Sequence, residues 1–543
     1  MILSIPEEVK SVVEKLEGTG FEAYLVGGCV RDILLEREPR DWDVATNAKP
    51  EQVQKLFADS VYENAFGTVL VKTNSSPSKN NLAPSAKGGS SLGGKTYNLS
   101  PSSIEVTTYR KEGKYTDKRH PDEIKFAKTI EEDLSRRDFT VNAMALRVGI
   151  VSAEGGSASG GRDDKKAFQS AKRSIKRSDL SSEAIEHFEL IDPFSGQADI
   201  KKKIIRTVGN PDERFNEDAL RLLRAVRFAT ELDWEIEFNT RRAIEKHAGL
   251  LEMIAKERVR DEFVKLIMSD SAARGVILLE ELNLLKNILP ELREGIGCGQ
   301  NKHHVYTVFE HNVRALDYTV KKKYPLAIRL ASLLHDIGKP RSKAGDGPDS
   351  TFYNHEMIGA KMTLKIMDRL RFPKDLSEQV THLVRQHLFY YNVGEVSAAG
   401  VRRFLARVGP ENIDDLIKVR EADRIGSGVP KAVPYKLRHL LFMIEKVRHD
   451  PLSPKMLKVN GEDVMKILAT PPGPKVGQIL NILLEEVLDD PKLNIREHLE
   501  SEIKKLGVLS DKKLTEMMKQ AKAKKNEAEK GIEEEIKKKY YVK

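Results

Sequence analysis

Cysteine and tryptophan are scarce in this sequence of 543 residues, which contains two of each. The two cysteines, Cys29 and Cys298, are too few for a disulfide framework and lack the Cys-x-x-Cys spacing of a zinc site. This usage fits a reducing compartment, and we expect a cytoplasmic protein. Apolar runs of membrane-spanning length are also absent, so we expect no membrane partner. Because the first motif begins at Gly27, we expect no removable presequence.

Acidic residues are outnumbered by basic ones. The sequence contains 91 lysines and arginines against 82 aspartates and glutamates, and its formal net charge is +9. A basic chain suits a polyanionic partner such as a nucleic acid, although the basic residues are widely spread. The length allows several domains, each with a core of its own.

The most informative motif is a GGCVRD run, which is followed shortly by a DWD run. Gly27 and Gly28 let backbone N–H groups approach a phosphate closely, and Arg31 can bind phosphate oxygens. Asp41 and Asp43 are two residues apart, so on an extended segment they face the same way and can share a pair of Mg²⁺ ions. Each run alone is usually a plain turn or a solvated strand end. Together they predict nucleotidyl transfer.

With these two runs the sequence resembles the nucleotidyltransferases of the DNA polymerase beta superfamily, and within them the class II tRNA CCA-adding enzymes and bacterial poly(A) polymerases. The first motif of that family, G-G-x-[VA]-R-D followed by D-x-D, is complete here. The resemblance implies an α+β fold, with a small mixed sheet and helices in the head and all-α domains after it. It also implies Mg²⁺ as the cofactor, with CTP, ATP and tRNA as partners. Asp41 and Asp43 would hold the Mg²⁺ ions.

Further motifs follow in the order of the family. Glu105, in the strand-like run IEVTTYR, is a candidate third carboxylate, and a plain surface glutamate is an equally good interpretation. The segment from Tyr115 to Pro121 resembles the family's flexible loop. The run DLSRRDFTVNA resembles a motif that handles the ribose and phosphates of the nucleotide. Its candidate nucleotide-binding residues are Arg136, Arg137, Asp138 and Asn142.

The run from Glu217 to Phe228 has the periodicity of one amphipathic helix. Asp218, Arg221 and Arg224 recur at steps of three, so we expect them to project together from a face other than the buried one. An exposed, salt-bridged helix is the ordinary interpretation of such a pattern. By resemblance this helix is the family's protein template, in which Asp218 and Arg221 read the base. Arg224 and Arg227 would support them or contact the triphosphate.

A second group of chemically capable residues lies in the C-terminal half. One helix is predicted around the run VFEHNV, and another ends at HDIGKP, where Gly338 and Pro340 are stop signals. Imidazoles and carboxylates from separate helices can hold one or two divalent metals, and a bound water then becomes a hydroxide nucleophile. The candidate ligands are His311, His335, Asp336, His355, His387 and Asp423.

This order of ligands resembles the HD superfamily of metal-dependent phosphohydrolases. The resemblance implies a divalent transition metal such as Mn²⁺, Ni²⁺ or Co²⁺, and activity on 2',3'-cyclic phosphates and phosphate monoesters. Many members of the parent family keep only a remnant of this domain, so a full ligand set indicates a working hydrolase. The remaining histidines of this region are interpreted as core or surface residues, namely His303, His304, His382 and His439.

The predicted domains follow from these motifs and from composition. Two segments rich in small and polar residues cannot bury enough apolar surface to fold alone, and we expect mobile extensions on hairpin tips. The predicted order is a nucleotidyltransferase head (1–150, with an insert at 74–103), a second insert (152–186), a helical neck and body with the nucleotide-selecting helix (187–296), an HD domain (297–430), a helical tRNA-binding tail (431–508) and a lysine-rich extension (509–543).

Several alternatives remain open. The CC-adding type of enzyme generally lacks the flexible-loop motif, which this chain contains from Tyr115 to Pro121. Addition of the whole CCA end and addition of its terminal A alone therefore both remain possible. A bacterial poly(A) polymerase shares the head but typically carries a G-R-R-F segment, where this chain has FGTV from Phe66 to Val69. An HD phosphohydrolase with a nucleotide-binding head and a non-catalytic RNA-binding relic are the last alternatives, and the intact Asp41 and Asp43 argue against both. We expect a monomer or a homodimer.

Overall fold

A computed structural model describes residues 5–39, 41–62, 67–73, 103–112, 124–151, 185–301, 305–345, 347–393, 396–448 and 450–517. The chain divides into two compact units, Met1–Ala255 and Lys256–Lys543, and each is treated by itself.

The first unit combines strands and helices. Its strands are β1 (Ala23–Val26), β2 (Asp43–Thr46), β3 (Ser60–Tyr62), β4 (Thr68–Lys72), β5 (Ser103–Thr108), β6 (Arg110–Glu112), β7 (Ile124–Phe126), β8 (Ala145–Val151), β9 (Ile185–Ile191), β10 (Ile204–Ile205) and β11 (Glu235–Ile236). Its helices are α1 (Glu7–Gly18), α2 (Gly28–Leu34), α3 (Pro50–Leu56), α4 (Ile130–Ser135), α5 (Gly196–Lys202), α6 (Pro211–Glu217), α7 (Leu220–Leu232) and α8 (Phe238–His247).

Seven of these strands form one mixed sheet in the order β3-β4-β5-β2-β1-β8-β9. β2 and β5 run parallel, and the other neighbouring strands are antiparallel. One face of the sheet buries apolar side chains against α1 and α3, in a core that includes Leu16, Leu25, Val44, Val53 and Val106. The predicted α+β class with a small mixed sheet is confirmed.

The strands that flank the two polar inserts pair with each other. β4 and β5 are antiparallel with Lys72 opposite Ser103, and β8 and β9 are antiparallel with Val151 opposite Ile185. Residues 74–102 and 152–184 lie outside the described part of the chain, as does the segment from Tyr115 to Pro121. The sheet continues past the predicted end of the head at residue 150, because β9 pairs with β8 over its whole length.

In the part that the structure describes, the second unit is helical apart from one short hairpin, as the periodicity predicts. Its helices are α9 (Lys256–Met268), α10 (Ala272–Glu281), α11 (Leu285–Ile288), α12 (Pro290–Arg293), α13 (Val308–Lys321), α14 (Leu326–Leu334), α15 (Lys339–Ser342), α16 (His355–Arg369), α17 (Lys374–Gln386), α18 (Ala398–Val408), α19 (Ile413–Gly426), α20 (Tyr435–Val447), α21 (Gly461–Leu468), α22 (Pro474–Asp489) and α23 (Arg496–Gly507). The hairpin is β12 (Lys343–Ala344) with β13 (Thr351–Phe352). Among the described helices, none is both long and apolar enough to cross a membrane.

Local interactions fix the helices that carry the predicted metal ligands. A capping box begins α13, in which the Thr307 side chain accepts from the Glu310 N–H while the Glu310 carboxylate accepts from the Thr307 N–H. The buried guanidinium of Arg329 in α14 donates to the carbonyl of Ile267, in the last turn of α9, and to that of Ser269, the residue after the helix. These contacts satisfy carbonyls at the end of α9 and hold α14 against it.

Candidate active sites

Two of the predicted catalytic carboxylates lie side by side in the sheet of the first unit. Asp43, the first residue of β2, is opposite Glu105 on the parallel strand β5, so both side chains leave the same face. Asp41 precedes the strand rather than lying within it, because the pairing of β2 with β5 begins at Asp43. The sequence predicted that Asp41 and Asp43 lie on one extended segment, but only Asp43 lies in the strand.

The electrostatic setting of Asp43 suits a cation. Burial raises the pKa of its carboxyl group; the guanidinium of Arg137 opposes that shift, and the carboxylate of Asp41 adds to it. A divalent ion would relieve both the desolvation and the repulsion, because hard oxygen ligands are those that Mg²⁺ prefers. The residues present therefore fit a Mg²⁺ site.

Gly27 and Arg137 meet beside Asp43. Gly27 has a φ of 79°, and a Cβ placed on it would lie 2.8 Å from Nη1 of Arg137 and 3.4 Å from Oδ2 of Asp43. A side chain at position 27 would thus be strained and would collide with the arginine. Within the described residues, Nε of Arg137 is buried and has no hydrogen-bond partner, so this guanidinium retains a donor for a ligand.

Asp133 organises the two arginines, a role that the sequence did not suggest. Its side chain is 1% exposed, and its Oδ1 accepts from Nε of Arg136 at 2.9 Å and from the backbone N–H of Arg110 at 3.2 Å. Its Oδ2 lies 3.5 Å from Nη2 of Arg137. Burial raises the pKa of Asp133, but the two guanidinium groups outweigh it and the pKa is lowered. The i, i+4 spacing of Asp133 and Arg137 is the signal that could have revealed the contact.

Arg31 joins the first motif to the later one. Its guanidinium pairs with Asp32 at 2.7 Å and donates from Nη1 to Oδ1 of Asn142 at 2.9 Å. The first helical residue of α2, Gly28, lies beside it, since a Cβ there would be 3.7 Å from Nη2 of Arg31. The structure thus brings Gly28, Arg31 and Asn142 together as the sequence motifs suggested.

Asp138 connects the same motif to α7. It accepts from Nε and Nη2 of Arg224 at 2.7 and 2.6 Å. Burial raises the pKa of Asp138, yet Arg224 and Arg221 lower it further than burial raises it. The pair is a charge-assisted, two-point contact, which fixes the direction of the Arg224 side chain.

The expected single helix from Glu217 to Phe228 is wrong. α6 ends at Glu217 and α7 begins at Leu220, because the Asp218 side chain leaves the helical pattern and accepts from the Leu220 N–H at 3.0 Å. The ordinary interpretation of an exposed, salt-bridged helix does not hold for Arg221 either. Arg221 is only 7% exposed, and it donates to the carboxylate of Glu217 and to the backbone carbonyl of Arg136.

Phe228 is a further member of this group that the sequence assigned only to the core. Its ring lies 4.1 Å from the guanidinium carbon of Arg227, 5.3 Å from that of Arg224 and 5.5 Å from that of Arg31. Arg227 also donates to Glu231 at 2.8 Å. The aromatic ring therefore supports three of the predicted nucleotide-binding arginines through cation–π contacts.

All six predicted metal ligands of the second unit come together. His311 lies in α13, His335 and Asp336 follow α14, His355 begins α16, His387 follows α17 and Asp423 lies in α19. Pro340 follows the end of α14, as predicted, and lies in the first turn of α15, where proline is favoured. Among the described residues these six form two buried groups that could hold a metal: His311, His335 and Asp423, and then Asp336, His355 and His387.

Asp336 links the two groups. Its Oδ2 lies 3.1 Å from Nε2 of His311 and 3.3 Å from Nε2 of His335, whereas its Oδ1 lies 3.3 Å from Nε2 of His355 and 3.5 Å from Nε2 of His387. A carboxylate that reaches both groups is suited to bridge two ions. The donor set of imidazoles and carboxylates fits borderline transition metals.

Backbone carbonyls orient three of the imidazoles. The Nδ1 atoms of His335, His355 and His387 are hydrogen-bonded to backbone carbonyls at 2.7 to 2.8 Å, which leaves each Nε2 directed at the centre. Burial lowers the pKa of His335, but Asp336 and Asp423 outweigh it and raise that pKa to about 10. The pKa of Asp336 is well below its usual value because Lys339 and His335 outweigh burial.

Two of the other histidines make hydrogen bonds outside this centre. His382 is hydrogen-bonded to the carbonyl of Val408 at 2.6 Å, and His439 is hydrogen-bonded to the hydroxyl of Tyr391. His303 and His304 lie outside the described residues, as does Phe66 of the FGTV run.

Three family models match the chain. The Poly A polymerase head domain matches residues 23–164, the "Probable RNA and SrmB- binding site of polymerase A" matches residues 233–296, and the HD domain matches residues 308–427. Together with the carboxylate cluster, the first match defines a nucleotidyltransferase that uses divalent metal ions.

Known relatives identify the family. The chain is 35% identical over 370 residues to the A-adding tRNA nucleotidyltransferase of Deinococcus radiodurans, covering 66% of this chain and 75% of that enzyme. It is 38% identical over 284 residues to the CCA-adding enzyme of Listeria monocytogenes, and this match covers 52% of this chain and 56% of that enzyme. The match thus spans little more than half the length of the Listeria enzyme. The crystal structure of the Bacillus stearothermophilus CCA-adding enzyme with CTP is similar at a TM-score of 0.58 and 25% identity, over 92% of this chain and 96% of that one. The chain belongs to the family of tRNA nucleotidyltransferases and poly(A) polymerases.

Proposed function

We propose that the protein is a template-independent tRNA nucleotidyltransferase that adds CCA, or its terminal A, to the tRNA 3' end from CTP and ATP. The observation that carries this proposal is the register of Asp43 and Glu105 beside Arg137 and Gly27, which combines metal-holding carboxylates with a phosphate-binding guanidinium. The names of the relatives support tRNA as the acceptor, and the net charge of +9 suits it.

In the proposed mechanism, Asp41, Asp43 and Glu105 would hold two Mg²⁺ ions. When bound, these ions supply activation of the 3'-hydroxyl and neutralisation of the triphosphate. Arg137 binds phosphate oxygens through the donors that Asp133 leaves unused. Gly27 leaves the room that the phosphate needs next to this guanidinium.

The remaining residues hold the nucleotide in place. Arg31, which lies beside Gly28, is hydrogen-bonded to Asn142. Asp138 accepts from Arg224 and so orients the guanidinium of that arginine. We propose that Asp218 and Arg221 read the base edge. In the structure Arg221 is bonded to Glu217 and to the carbonyls of Arg214 and Arg136, so base reading requires it to exchange at least one of these partners.

Stepwise tRNA substrates test the proposal directly. Purified full-length protein is incubated with tRNA transcripts that end at the discriminator base, after one C or after CC, and with each labelled NTP. CMP on the first two and AMP on the third would show full CCA addition, and AMP only on the third would show A addition. Repeated AMP on unrelated RNA would mean a poly(A) polymerase instead. No incorporation on any acceptor would overturn the proposal.

We propose a second activity, metal-dependent phosphohydrolysis, for the HD centre. Two buried three-ligand groups that share Asp336 support it, because such a centre can hold a transition metal such as Mn²⁺, Ni²⁺ or Co²⁺. Substrates of the expected class are 2',3'-cyclic phosphates and phosphate monoesters. We also propose a cytoplasmic location and a monomeric or homodimeric state, which sedimentation velocity would measure.

A further inference from the structure

The HD centre is least buried beside Asp423. The side chain of this candidate ligand is 12% exposed, whereas those of the other five range from 0% to 8%. Its Oδ1 faces inward and lies 3.4 Å from Nε2 of His311 and 3.7 Å from Nε2 of His335. A ligand that enters from solvent should therefore reach the centre on the side of Asp423.

Arg420 lies on that side. It precedes Asp423 by three residues in α19, and its Nη1 donates to Oδ2, the other carboxylate oxygen of Asp423. The side chain of Arg420 is 27% exposed. Among the described residues Asp423 is its one hydrogen-bond partner, so Nε and Nη2 retain their donors for a ligand. One planar edge of this guanidinium is thus unused beside the metal ligands.

An aromatic ring fixes the direction of the guanidinium. The ring centroid of Phe389, two residues after the ligand His387, lies 5.6 Å from the guanidinium carbon of Arg420. Phe389 is buried and packs on Phe404, with ring centroids 5.0 Å apart. A cation–π contact with a packed ring restricts the orientation of the guanidinium. The segments that carry His387 and Asp423 therefore preorganise Arg420.

The two buried carboxylates of the centre already have cationic partners. Nζ of Lys339 lies 2.6 Å from Oδ2 of Asp336, and Arg420 pairs with Asp423. Divalent ions bound to these carboxylates would leave the two cations as surplus positive charge, which an anion relieves. The side chain of Lys339 is only 9% exposed and also donates to Gln300. Arg420 is thus the cation that a ligand from solvent can reach.

We propose that Arg420 binds the phosphate group of the substrate at the HD centre. The inference rests on the proposed phosphohydrolase activity and names the residue that selects a phosphate ester. Cyclic phosphates and phosphate monoesters both present two or more non-bridging oxygens. The edge formed by Nε and Nη2 can donate to two such oxygens at once, which a point charge cannot do.

Inorganic phosphate is the probe for this contact. Full-length protein, loaded in parallel with Mn²⁺, Ni²⁺ or Co²⁺, is titrated with inorganic phosphate by calorimetry, and KM and kcat are measured on 2',3'-cyclic AMP. Arg420→Gln should weaken phosphate binding and raise KM about tenfold or more, because it removes charge-assisted hydrogen bonds. The matched control is Lys418→Gln, which makes the same charge change in α19, where Lys418 pairs with Asp415 at 3.0 Å. This control should bind phosphate as the wild type does.

Bound metal, measured by mass spectrometry, separates phosphate binding from a structural role. Wild-type metal content in Arg420→Gln with weaker phosphate binding supports the inference. If Arg420→Gln loses its metal, Arg420→Lys decides, because it keeps a cation beside Asp423 but lacks the planar edge. Weaker phosphate binding by Arg420→Lys at full metal content supports the inference, and wild-type binding would overturn it.

Failure of this inference is distinguishable from failure of the proposed hydrolysis. If the wild type binds phosphate through Arg420 but hydrolyses neither cyclic phosphates nor monoesters, the proposed activity is wrong and the phosphate site is retained. If the wild type hydrolyses them and Arg420→Gln has the same KM and phosphate affinity, the phosphate site is wrong and the activity is retained. Absence of phosphate binding by the wild type with all three metals would also overturn the inference.

Discussion

Asp43 on β2 and Glu105 on β5 are neighbours across a parallel strand pair. The two residues are far apart in the sequence, and their proximity depends on β5 entering the sheet between β4 and β2. Parallel register directs both carboxylates to the same side of the sheet. The first predictions therefore concern these two carboxylates and the residues around them.

Substitution of Asp43 by alanine should abolish CTP and ATP incorporation. The loss of a metal-binding carboxylate removes activation of the hydroxyl and neutralisation of charge, effects that together are worth several kcal/mol, or about a thousandfold in rate. Asp41→Ala should behave similarly, and HD hydrolysis should be retained in both. Asp59→Ala, at an exposed position of the same unit, is the control. Near wild-type incorporation by Asp43→Ala would contradict the catalytic assignment.

Replacement of Asp133 by asparagine should destabilise the first unit in a pH-dependent manner. The folded-state pKa of Asp133 is lowered, so its stabilising contribution is complete above the pKa of the unfolded chain and is lost as the pH falls through the folded pKa. Removing a charge buried with two arginines should lower Tm by about 5–10 °C at pH 7. The difference between variant and wild type should shrink on acidification, as differential scanning calorimetry would show. A constant difference at every pH would exclude the charge as the cause.

Arg221→Ala should relax discrimination against UTP and GTP and should slow addition. A lost donor pair at a base edge reduces selectivity, because the wrong bases no longer leave a buried donor unsatisfied. Competition between labelled nucleotides measures this effect. Glu217→Gln perturbs the same ion pair without touching the arginine and should change stability more than selectivity. Unchanged selectivity in Arg221→Ala would assign Arg221 to the contacts with Glu217 and Arg136 alone.

Asp336→Ala should eliminate hydrolysis of a 2',3'-cyclic phosphate in the presence of Mn²⁺, Ni²⁺ or Co²⁺ and spare nucleotide addition. Asp336 contacts four of the histidines, so both ligand groups lose a carboxylate oxygen. Bound metal, measured by mass spectrometry after dialysis, should fall in parallel. His382→Ala, which removes a histidine outside the centre, should change neither. Wild-type protein with no metal-dependent hydrolysis would require the HD domain to be structural.

Metal binding to the HD centre should release a proton. The pKa of His335 is raised to about 10 by Asp336 and Asp423 against the effect of burial, so without metal this imidazole is charged at neutral pH. A metal ion must displace that proton, so the apparent affinity should rise with pH across the neutral range. Isothermal titration calorimetry in buffers of different ionisation enthalpy counts the protons. A pH-independent affinity between pH 6 and 9 would contradict the assignment.

Short-range patterns predicted the helices and the grouping of the candidate HD ligands well. The HD ligands lie at or near helix termini that carry their own stop signals and caps, so their spacing in sequence predicted helices that the structure contains. Gly27, which has a positive φ, was likewise recognisable because only glycine is comfortable there.

Long-range contacts could not be predicted in the same way. The periodicity of Glu217 to Phe228 is continuous, but the Asp218 side chain competes for the Leu220 N–H and divides the helix. The burial of Arg221 depends on the carbonyl of Arg136, which another motif supplies. The role of Asp133 was not predicted for the same reason, because it depends on contacts with Arg110, Arg136 and Arg137.

The strand pairs β4–β5 and β8–β9, which flank the two inserts, determine which changes of insert length the sheet can tolerate. Lys72 faces Ser103 and Val151 faces Ile185, so each insert leaves and re-enters the sheet at adjacent positions. Closing a longer connection between fixed ends costs only about 0.6 kcal/mol for each doubling of its length. We therefore expect that each insert can be shortened to a tight turn or replaced by a reporter domain. Asp43 and Glu105 should keep their register in such variants.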